Sequence, residues 1–591
     1  MRHPRPLLRR RSVAAHALPD SVPPLLRRIY AARGATAAEG LVRDLNGLAD
    51  YRPLGGMEAA VDCLEQALRE QWPVMIVGDY DADGATSTAL AIEALRSLGA
   101  QHVGYLVPNR FTQGYGLSPA LAEEAAARGA RLLITVDNGI AAHSGVRAAR
   151  AAGMAVLITD HHLPGEVLPE ADAIVNPNLP GDIFPSKSLA GVGVIFYVML
   201  ALRARLRTQS WFEAHGRPTP NFAELLDLVA VGTVADVVAL DANNRILVEQ
   251  GLRRIRAGRA RAGVRALLRV AGRDPARVAA SDLGFAIGPR LNATGRLDDM
   301  ALGIECLLAT DETRAATLAQ RLDALNRERR ELEQDMREQA MSAVEAAFAR
   351  LDGDALPDGL CLFDPDWHEG VVGLVAGRVK ERFHRPVAVF APGADGMLKG
   401  SLRSVPGIHI RDVLADMAAR DPDLLPRFGG HAMAAGLSLE ATRLDAFSAL
   451  FAQAVSRHAD DEALQPVLWS DGELAPGEFD LQTAEALRAG GPWGQGFPEP
   501  LFDGVFAVHA AREVGQGHLK LQLRDPRDGR LHEAIAFHYA ELGMSPDGGR
   551  DEARYAFRLD VNEYRGERRP QLLVTGYDLI VDEAGGDSAH I

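Results

Sequence analysis

The chain has 591 residues, of which 47% are hydrophobic and 24% are charged. A chain of this length is too long for one hydrophobic core and is expected to form roughly three or four domains. No apolar run approaches the roughly 20 residues of a transmembrane helix, so a membrane role is not expected. The formal net charge of −15 does not exclude nucleic acid, because a groove along a phosphate backbone needs only a local basic lining.

The cysteines and the N-terminus indicate a cellular compartment. Cys63, Cys306 and Cys361 are far apart and form no CxxC pair, so neither a zinc site nor a disulfide framework is predicted, and a reducing cytoplasm fits best. The Arg-rich start MRHPRPLLRRRSV lacks the apolar segment of a signal peptide. We interpret it as a disordered basic tail that could contact polyanions.

Strand and helix patterns alternate from about residue 56 onward. Ala-rich helices are predicted up to Leu98 and near residues 118–128 and 142–152. Short β-branched strands are predicted in VMIVGDYD, HVGYLVPN, RLLITVDNG, AVLITDHH and ADAIVNPN. This alternation is typical of a parallel sheet with helices on both faces.

An acidic triplet follows the first of these strands, in the stretch VGDYDADGATST. Asp79, Asp81 and Asp83 have the alternate spacing that opens an EF-hand loop. However, the twelfth residue of such a loop should be a bidentate Glu, and Leu90 stands there. Because the triplet lies between an apolar strand and a helical pattern, we interpret it as an acidic turn.

Further candidate metal ligands close other strands of the same sheet. Asp137 ends RLLITVD, and Asp160, His161 and His162 end AVLITDHH. The carboxyl ends of parallel strands share one edge, where ligands bind in open α/β sheets. Asp236 lies in the apolar stretch LLDLVAVGTVADVVAL, where a buried carboxylate needs a metal or an arginine as its partner.

The residue types favour two hard metal ions. Carboxylates with imidazole and no thiolate suit Mn²⁺ or Mg²⁺ better than zinc. Because so many ligands converge, two ions about 3.5–4 Å apart are more natural than one, and such pairs hydrolyse phosphate esters without a covalent nucleophile. Each signal also has a structural alternative, since a lone Asp-x-Asp is usually a turn or a helix cap.

The second half of the chain predicts three further units. Residues 311–350 carry apolar side chains at three- and four-residue steps without Gly or Pro, which predicts a long amphipathic connector helix. A second α/β segment follows from about 357 to 455. After about residue 466, alternating strands with short turns predict a small antiparallel barrel or sandwich. Phe506, Phe537 and Tyr539 there could stack on bases or belong to the core.

Ordered motifs give a family resemblance from about residue 55 to beyond 570. DYDADG, VDNG, TDHH and GTVADVV resemble the four motifs of the DHH phosphoesterases, and GGHAMAAG resembles the glycine-rich motif of the DHHA1 domain. Similarity to the RecJ family of single-strand-specific 5′→3′ DNA exonucleases is carried by PNRFTQGYGLS, GPRLNATGRL, FDPDWHEGVVGLVAGRVKERF, GSLRSVPG and GPWGQGFPEPLFDG. Thr294 and Leu402 depart from the family, which more often has alanine and a smaller residue at these positions. The effect of Leu402 on the path of the DNA strand is therefore open.

The resemblance implies a domain order. A parallel-sheet DHH domain would occupy 56–305, a connector helix 306–352, a smaller α/β DHHA1 domain 353–458, and an antiparallel OB-fold that binds DNA 466–582. Residues 1–55 would form a tail and lead-in, and 583–591 a second tail.

The resemblance also implies metal ligands. Asp81 would ligate one metal ion, Asp83 the other, and Asp137 both. His161 and Asp236 would complete the shell of the second ion. For Asp79 and His162 two roles are open. Each would either ligate a metal ion or hydrogen-bond to a metal ligand or to the scissile phosphate.

The DNA phosphates would be held by side chains and by exposed backbone N–H groups. The residues implied are Arg110, Arg290, Asn292, Arg296, Arg403, Ser404, Gly429, Gly430 and His431. A surface salt bridge is an equal alternative for the arginines, and a satisfied loop histidine is the alternative for His431.

The implied activity is degradation of single-stranded DNA to mononucleotides from the 5′ end, in recombination and repair. A monomer is expected because a long multidomain chain with its own groove has no evident need to dimerise, and the cysteines favour the cytoplasm. A helicase and a single-strand-binding protein are possible partners. Two alternatives stay open. One is a DHH-type phosphodiesterase of short oligonucleotides or cyclic dinucleotides, and the other is a non-catalytic protein that binds single strands.

Overall fold

A computed structural model describes residues 6–109, 115–349, 357–393, 396–425, 427–460, 462–515, 517–547, 552–564 and 566–581. Arg110, one of the expected DNA contacts, lies outside these residues. Across the described ranges, the helices are either too short or too polar to cross a membrane.

The N-terminal segment is ordered where we expected a disordered tail. Strand β1 (Leu7–Arg10) pairs in parallel with Val467–Ser470 on one side and with Ile580–Val581 on the other. Leu8 is fully buried, and Arg10 donates hydrogen bonds to Asp503. The expectation of disorder is therefore wrong for this strand, because its apolar and charged side chains find partners far along the chain.

The first α/β domain is built on a five-stranded parallel sheet in the order β3-β2-β4-β5-β6. Its strands are β2 (Val74–Val77), β3 (Val103–Leu106), β4 (Leu132–Val136), β5 (Ala155–Thr159) and β6 (Ala173–Val175). All five strand predictions are confirmed. The order reverses direction between β2 and β4, and such a switch point opens a crevice at the carboxyl edge.

Helices cover both faces of this sheet, as the alternation predicted. Those before and between the strands are α1 (Pro24–Ala31), α2 (Met57–Arg69), α3 (Ala82–Leu98), α4 (Pro119–Ala127) and α5 (His143–Ala151). Those after the strands are α6 (Gly191–Thr208), α7 (Trp211–Ala214), α8 (Leu226–Ala235), α9 (Ala242–Arg256), α10 (Ala262–Val270), α11 (Ala280–Asp282), α12 (Gly288–Leu297) and α13 (Ala301–Leu308). Helices α6 and α8 are apolar nearly all round and are accordingly buried.

A π-helix (Leu283–Ile287) joins α11 to α12. The N–H of Gly288 reaches back five residues to the carbonyl of Leu283. The cause lies in the sequence, because Pro289 has no N–H to offer the carbonyl of Phe285 four residues earlier.

The connector helix α14 (Glu312–Ala349) confirms the predicted long helix. Its N-terminal half packs on the first domain, where Asp323 pairs with Arg290 of α12 at 2.7 Å. Its C-terminal half packs on the second α/β domain, where Gln339 accepts a hydrogen bond of 2.7 Å from the indole of Trp367. The helix therefore spaces the two domains through contacts at both ends.

The second α/β domain contains a mixed sheet in the order β10-β11-β9-β8-β7. Its elements are β7 (Leu360–Phe363), α15 (Val372–Phe383), β8 (Val387–Pro392), β9 (Met397–Arg403), α16 (Ile410–Arg420), β10 (Arg427–Gly430), β11 (Ala434–Glu440) and α17 (Leu444–His458). Leu402 is fully buried in the core of this domain. Its side chain points away from Ser401 and Arg403 on the opposite face of β9.

The C-terminal domain is a closed barrel in the order β13-β14-β15-β17-β16. Its elements, with the strand and helix that precede the barrel, are β12 (Val467–Ser470), α18 (Leu481–Ala489), β13 (Phe502–Val514), β14 (His518–Arg524), β15 (Leu531–Ala536), β16 (Glu552–Tyr564), β17 (Glu567–Tyr577) and β18 (Ile580–Val581). Phe506 and Tyr539 are buried in its core, whereas Phe537 is 50% exposed. Only Phe537 of these three candidates offers a ring to a base.

The N-terminal segment ties the barrel to the first domain. The Arg33 guanidinium lies 2.6 Å from the carboxylate of Asp471, and both side chains are 1% exposed. The first domain also contacts the segment before the barrel directly, because the N–H of Leu240 donates to the carbonyl of Gln495 at 2.7 Å. Removing one partner of a buried pair leaves an uncompensated charge, which costs about 3–5 kcal/mol.

Candidate metal centre and groove

The candidate ligands lie at the carboxyl edge of the first sheet. Asp79 follows β2, Asp137 follows β4, and His161 follows β5, so the switch point between β2 and β4 lies among them. Asp236 comes from another direction, at the C-terminal end of α8. The predicted convergence of the strand ends is therefore present.

The acidic turn is held by the N-termini of two helices. Asp81 caps α3, and its Oδ1 accepts hydrogen bonds from the N–H groups of Asp83 and Gly84. The carboxylate of Asp83 accepts hydrogen bonds from the N–H groups of Gly191, at 2.6 Å, and Val192, at 2.9 Å, at the start of α6. Helix N-termini favour negative charge, so the local structure orients both carboxylates before any cation binds.

Asp137 occupies a strained and crowded position. Its φ is 63°, which non-glycine residues adopt infrequently. A Cβ on Gly191 would lie 2.5 Å from the Asp137 Cβ, so only glycine allows this approach of α6. The neighbouring Asn138 amide donates to the carbonyls of Val77 and Val136 and holds β2 and β4 together beneath the site.

Two buried ligand atoms of the cluster have no hydrogen-bond partner among the described residues. These are Oδ1 of Asp137 and Nε2 of His161, which lie 3.1 Å apart. The same Nε2 lies 3.5 Å from Oδ2 of Asp236. Buried polar atoms without partners are uncommon in folded proteins and point to an ion or a water at that position.

Asp160 orients the two histidines. Its Oδ1 accepts from the backbone N–H groups of His161, at 2.7 Å, and His162, at 3.1 Å, and it also accepts from Nδ1 of His162 at 2.8 Å. Its Oδ2 accepts from the N–H of Ile140. The hydrogen bond from the His162 ring holds the pKa of Asp160 below its ordinary value, despite burial that opposes this shift.

The cluster carries more negative charge than its surroundings compensate. Burial and then the neighbouring Asp81 raise the pKa of Asp83 to about 7. Burial and the same carboxylates raise the pKa of Asp137 and of Asp236 well above the usual range. Burial and then His162 lower the pKa of His161 to about 4, so its imidazole is neutral and can ligate a metal.

The donor set fits divalent cations. Three sets each place one ligand atom per residue within 4.8 Å of the others, and they are Asp79, Asp81 and Asp137; Asp83, His161 and Asp236; and Asp137, His161 and His162. Asp137 is shared by two of the sets. Oxygen ligands with one or two imidazoles suit Mn²⁺ or Mg²⁺.

The second α/β domain faces this cluster across a groove. The rings of His162 and His431 stack with centroids 6.5 Å apart, and Nη1 of Arg296 donates to the carbonyl of Gly370 at 3.2 Å. A cavity of about 480 Å³ lies between the domains. Its lining includes Tyr80, Tyr115, Arg296, Glu369, Lys399, Ser401, Arg403, Phe428 and Gly429.

Comparison with known proteins agrees with this arrangement. Residues 73–233 match the model of the DHH family N-terminal domain, residues 356–457 the DHHA1 domain and residues 470–576 the RecJ OB domain. A single-stranded-DNA-specific exonuclease RecJ from Dickeya dadantii is 57% identical over 567 residues, which cover 96% of this chain and 98% of the relative. The chain belongs to the RecJ family.

Solved RecJ structures share the fold. RecJ from Thermus thermophilus in complex with Mn²⁺ is 31% identical with a TM-score of 0.78, and the match covers 98% of this chain and 81% of that one. Its complex with Mg²⁺ is 30% identical with a TM-score of 0.72 and covers 96% and 78% of the two chains. The predicted α/β fold with a C-terminal OB barrel and the predicted family are therefore confirmed.

The residues expected to bind DNA occupy different environments in this RecJ family member. Arg296, Arg403 and Gly429 line the cavity. Arg403 also donates to the hydroxyl of Ser401 at 3.1 Å and to the carbonyl of Leu402 at 2.8 Å. Gly430 has a φ of 149° in the adjacent hairpin, and the N–H of His431 donates to the carbonyl of Ala434.

Three others are not among the residues that line the cavity, and they too have partners inside the protein. Oδ1 of Asn292 accepts from the N–H of Ala82 at 2.7 Å and thereby supports the acidic turn. The hydroxyl of Ser404 donates to the carbonyl of Ile408 at 2.7 Å. Arg290 pairs with Asp323 and donates to the carbonyl of Ala286 at 2.7 Å.

Sequence reasoning missed part of the site. Asp160 is among the candidate ligands that end AVLITDHH, but the sequence did not show that its carboxylate orients the His162 ring. Tyr115 donates to the carbonyl of Asp137 at 3.1 Å and lies 3.4 Å from the His162 ring. Lys399 shares a face of β9 with Ser401 and Arg403, which alternation along the strand could have shown.

Proposed function

We propose that the chain is an exonuclease that degrades single-stranded DNA from the 5′ end to mononucleotides, in recombination and repair. The observation that carries this proposal is the convergence of three ligand sets on one sheet edge, facing a cavity lined by cationic residues of the second domain. Membership of the RecJ family supports the choice of DNA as the substrate.

We assign the metal ligands by position. Asp81 and Asp79 would face one cation, while Asp83, His161 and Asp236 would face a second. Asp137 belongs to the set of Asp79 and Asp81, and its Oδ1 lies 3.1 Å from Nε2 of His161 in the other set, so its carboxylate would contribute to both. Bound Mn²⁺ or Mg²⁺ would supply an activated water and neutralise charge at the scissile phosphate.

His162 and Asp160 would act together beside the metals. The carboxylate of Asp160 fixes the His162 ring through Nδ1, and the pKa of His162 is raised, in part by this hydrogen bond. A protonated ring at this position would place an N–H donor beside the cleaved phosphate.

We propose that Arg403, Arg296 and the segment Gly429–His431 hold the DNA phosphates, with His431 contributing its ring because its N–H already donates to the carbonyl of Ala434. Arg403 supports this role because it lies in the cavity on the same face as Ser401 and Lys399. For Arg290, Asn292 and Ser404 the internal hydrogen bonds favour a structural role. Arg110 stays a proposal from the family resemblance.

Four finer points are proposals as well. We propose a monomer, a cytoplasmic location, a helicase and a single-strand-binding protein as partners, and domain limits at 56–305, 306–352, 353–458 and 466–582. Co-purification with tagged candidate partners and light scattering of the purified chain would test the partners and the oligomeric state.

The experiment that tests the function is digestion of a DNA strand labelled at its 5′ end. We expect immediate release of labelled mononucleotide from the single strand, little from the blunt duplex, and none with chelator. Label that appears only late, or cleavage confined to di- to tetranucleotides, would instead indicate a DHH phosphodiesterase of short substrates. Metal-independent binding without any release would indicate a binding protein.

A further inference from the structure

Two large apolar side chains are exposed beside the ligand cluster. Phe285 is 80% exposed and Val237 is 63% exposed. Val237 directly follows the candidate ligand Asp236, and its N–H donates to the carbonyl of Val234. A Cβ on Gly284, next to Phe285, would lie 3.2 Å from the Val234 side chain. The two exposed residues therefore belong to adjoining segments.

Both residues are held in these positions by unusual backbone. Phe285 lies in the π-helix, which is fixed on one side by the hydrogen bond and ion pair that Arg290 makes to Ala286 and Asp323. Val237 has a φ of 62°, which is an outlier for a β-branched residue. Strained backbone persists where the surroundings impose it and clusters at functional sites.

The two segments also connect the same two parts of the molecule. The first runs from Asp236, in the ligand cluster, to Leu240, whose N–H binds the segment that leads into the barrel. The second runs from Arg277, which pairs with Glu563 of β16, to Asn292, which supports the acidic turn. Val237 and Phe285 therefore belong to two chain segments that join the barrel to the metal centre.

We propose that Phe285 and Val237 form an apolar step that carries the single strand between the barrel and the ligand cluster, with the Phe285 ring stacked on a base. This inference rests on the proposed function. Base–aromatic stacking is tolerant of sequence because every base has a π-face, which suits an enzyme that must accept any strand. The proposed ligand of Phe285 and Val237 is therefore an unpaired base of the single strand.

The test is binding of a 20-nucleotide single strand, with Ca²⁺ in place of Mn²⁺ to slow hydrolysis. We expect Phe285→Ala to weaken binding roughly 5- to 150-fold, the range for loss of one stacked base. Phe285→Trp should bind within about twofold of the wild type, because the larger ring still stacks. The matched control is Ile183→Ala, which removes an equally exposed apolar side chain elsewhere on the first domain.

A second readout separates stacking from a general distortion. Strands carrying 2-aminopurine at successive positions should show one position whose fluorescence is quenched by the wild type and not by Phe285→Ala. Val237→Asn keeps a residue that tolerates a positive φ and removes the apolar surface, so it should weaken binding of the long strand as well. For Phe285→Ala, hydrolysis of a dinucleotide with Mn²⁺ should fall less than binding of the long strand, since the short substrate has fewer bases to stack on the ring.

Unchanged affinity of Phe285→Ala, or an equal loss on the dinucleotide, would overturn the inference. If the wild type cleaves single strands while Phe285→Ala matches it in every assay, only this inference fails. If the wild type binds strands through Phe285 but releases no nucleotide, the inference stands and the proposed exonuclease activity fails. If the wild type neither binds nor cleaves, both fail.

Discussion

The metal-ligand cluster of the first domain and the arginines expected to bind DNA differ in how their charges are compensated. In the cluster, Oδ1 of Asp137 and Nε2 of His161 are buried and have no hydrogen-bond partner in the part of the chain that the structure describes. Burial and then the neighbouring carboxylates raise the pKa of Asp137. Arg290, by contrast, has a carboxylate partner 2.7 Å away. The cluster therefore needs a bound cation to compensate its charge, whereas the charge of Arg290 is already compensated by Asp323.

This difference in charge compensation indicates which of the residues implied by the family resemblance act on the substrate. A side chain with its charge already balanced by the protein stabilises the fold, while a group with an unbalanced charge is available to a ligand. Four variants or conditions test this division, and their expected effects decrease in the order given.

Asp137→Asn should have the largest effect. We expect a loss of exonuclease rate on the order of a thousandfold, because the residue belongs to two ligand sets and metal activation supplies several kcal/mol. The melting temperature of the chelated protein should rise, since the substitution removes a buried carboxylate among like charges. Rate assays and calorimetry measure the two effects, with Glu166→Gln, an exposed carboxylate, as control. An unchanged rate would remove Asp137 from the catalytic centre.

Arg290→Ala should mainly destabilise the fold. We expect the free energy of unfolding to fall by about 3 kcal/mol, because a mostly buried ion pair with Asp323 loses one partner. Arg327→Ala is the matched control, since Arg327 binds the same carboxylate from an exposed position, and its effect should stay below about 1 kcal/mol. Denaturant titration measures both. If Arg290→Ala unfolds like the wild type but loses DNA affinity, the internal pair is not its main role.

Arg403→Ala should weaken DNA binding by roughly tenfold, because its side chain lies in the cavity. Its effect on the free energy of unfolding should be about 1 kcal/mol, since Arg403 also donates to the hydroxyl of Ser401 and to the carbonyl of Leu402. The slope of log affinity against log salt should fall by about 0.7, the value for one phosphate contact on a single strand. Arg420→Ala, which removes an arginine that pairs with Asp416 on the outer surface, should leave the slope unchanged. A slope identical in all three proteins would show that Arg403 contacts no phosphate.

The pH dependence of the melting temperature should differ between the wild type and Asp83→Asn by a few degrees. An acid whose pKa is raised on folding, as for Asp83 from 3.8 to about 7, adds stability that is present at low pH and lost as pH rises. His161, with its pKa lowered to about 4, acts in the opposite direction. With chelator, the wild type should therefore lose more stability between pH 4 and 7 than Asp83→Asn does. Equal slopes, measured by calorimetry, would contradict the raised pKa of Asp83.

Local patterns were enough to predict much of the fold and the candidate centre. Apolar strands that end in Asp79, Asp137 and His161 define both the sheet and the edge at which ligands meet, because neighbouring parallel strands end on the same side. Likewise, the unbroken three- and four-residue spacing predicted α14.

Features that depend on distant partners could not be predicted in this way. The segment Leu7–Arg10 is too short and too basic to indicate a strand by itself, and its pairing partners lie at Val467–Ser470 and Ile580–Val581. The role of Arg290 depends on Asp323 in another helix. The outward position of Phe285 follows from the π-helix at Pro289, which no hydrophobic period reveals.

The most direct test of the central claim is to count Mn²⁺ bound to the chain by electron paramagnetic resonance. The account predicts two ions per chain, magnetically coupled in the wild type, and loss of that coupling in Asp137→Asn. A single uncoupled ion, or coupling that survives in Asp137→Asn, would contradict a two-metal centre shared through Asp137.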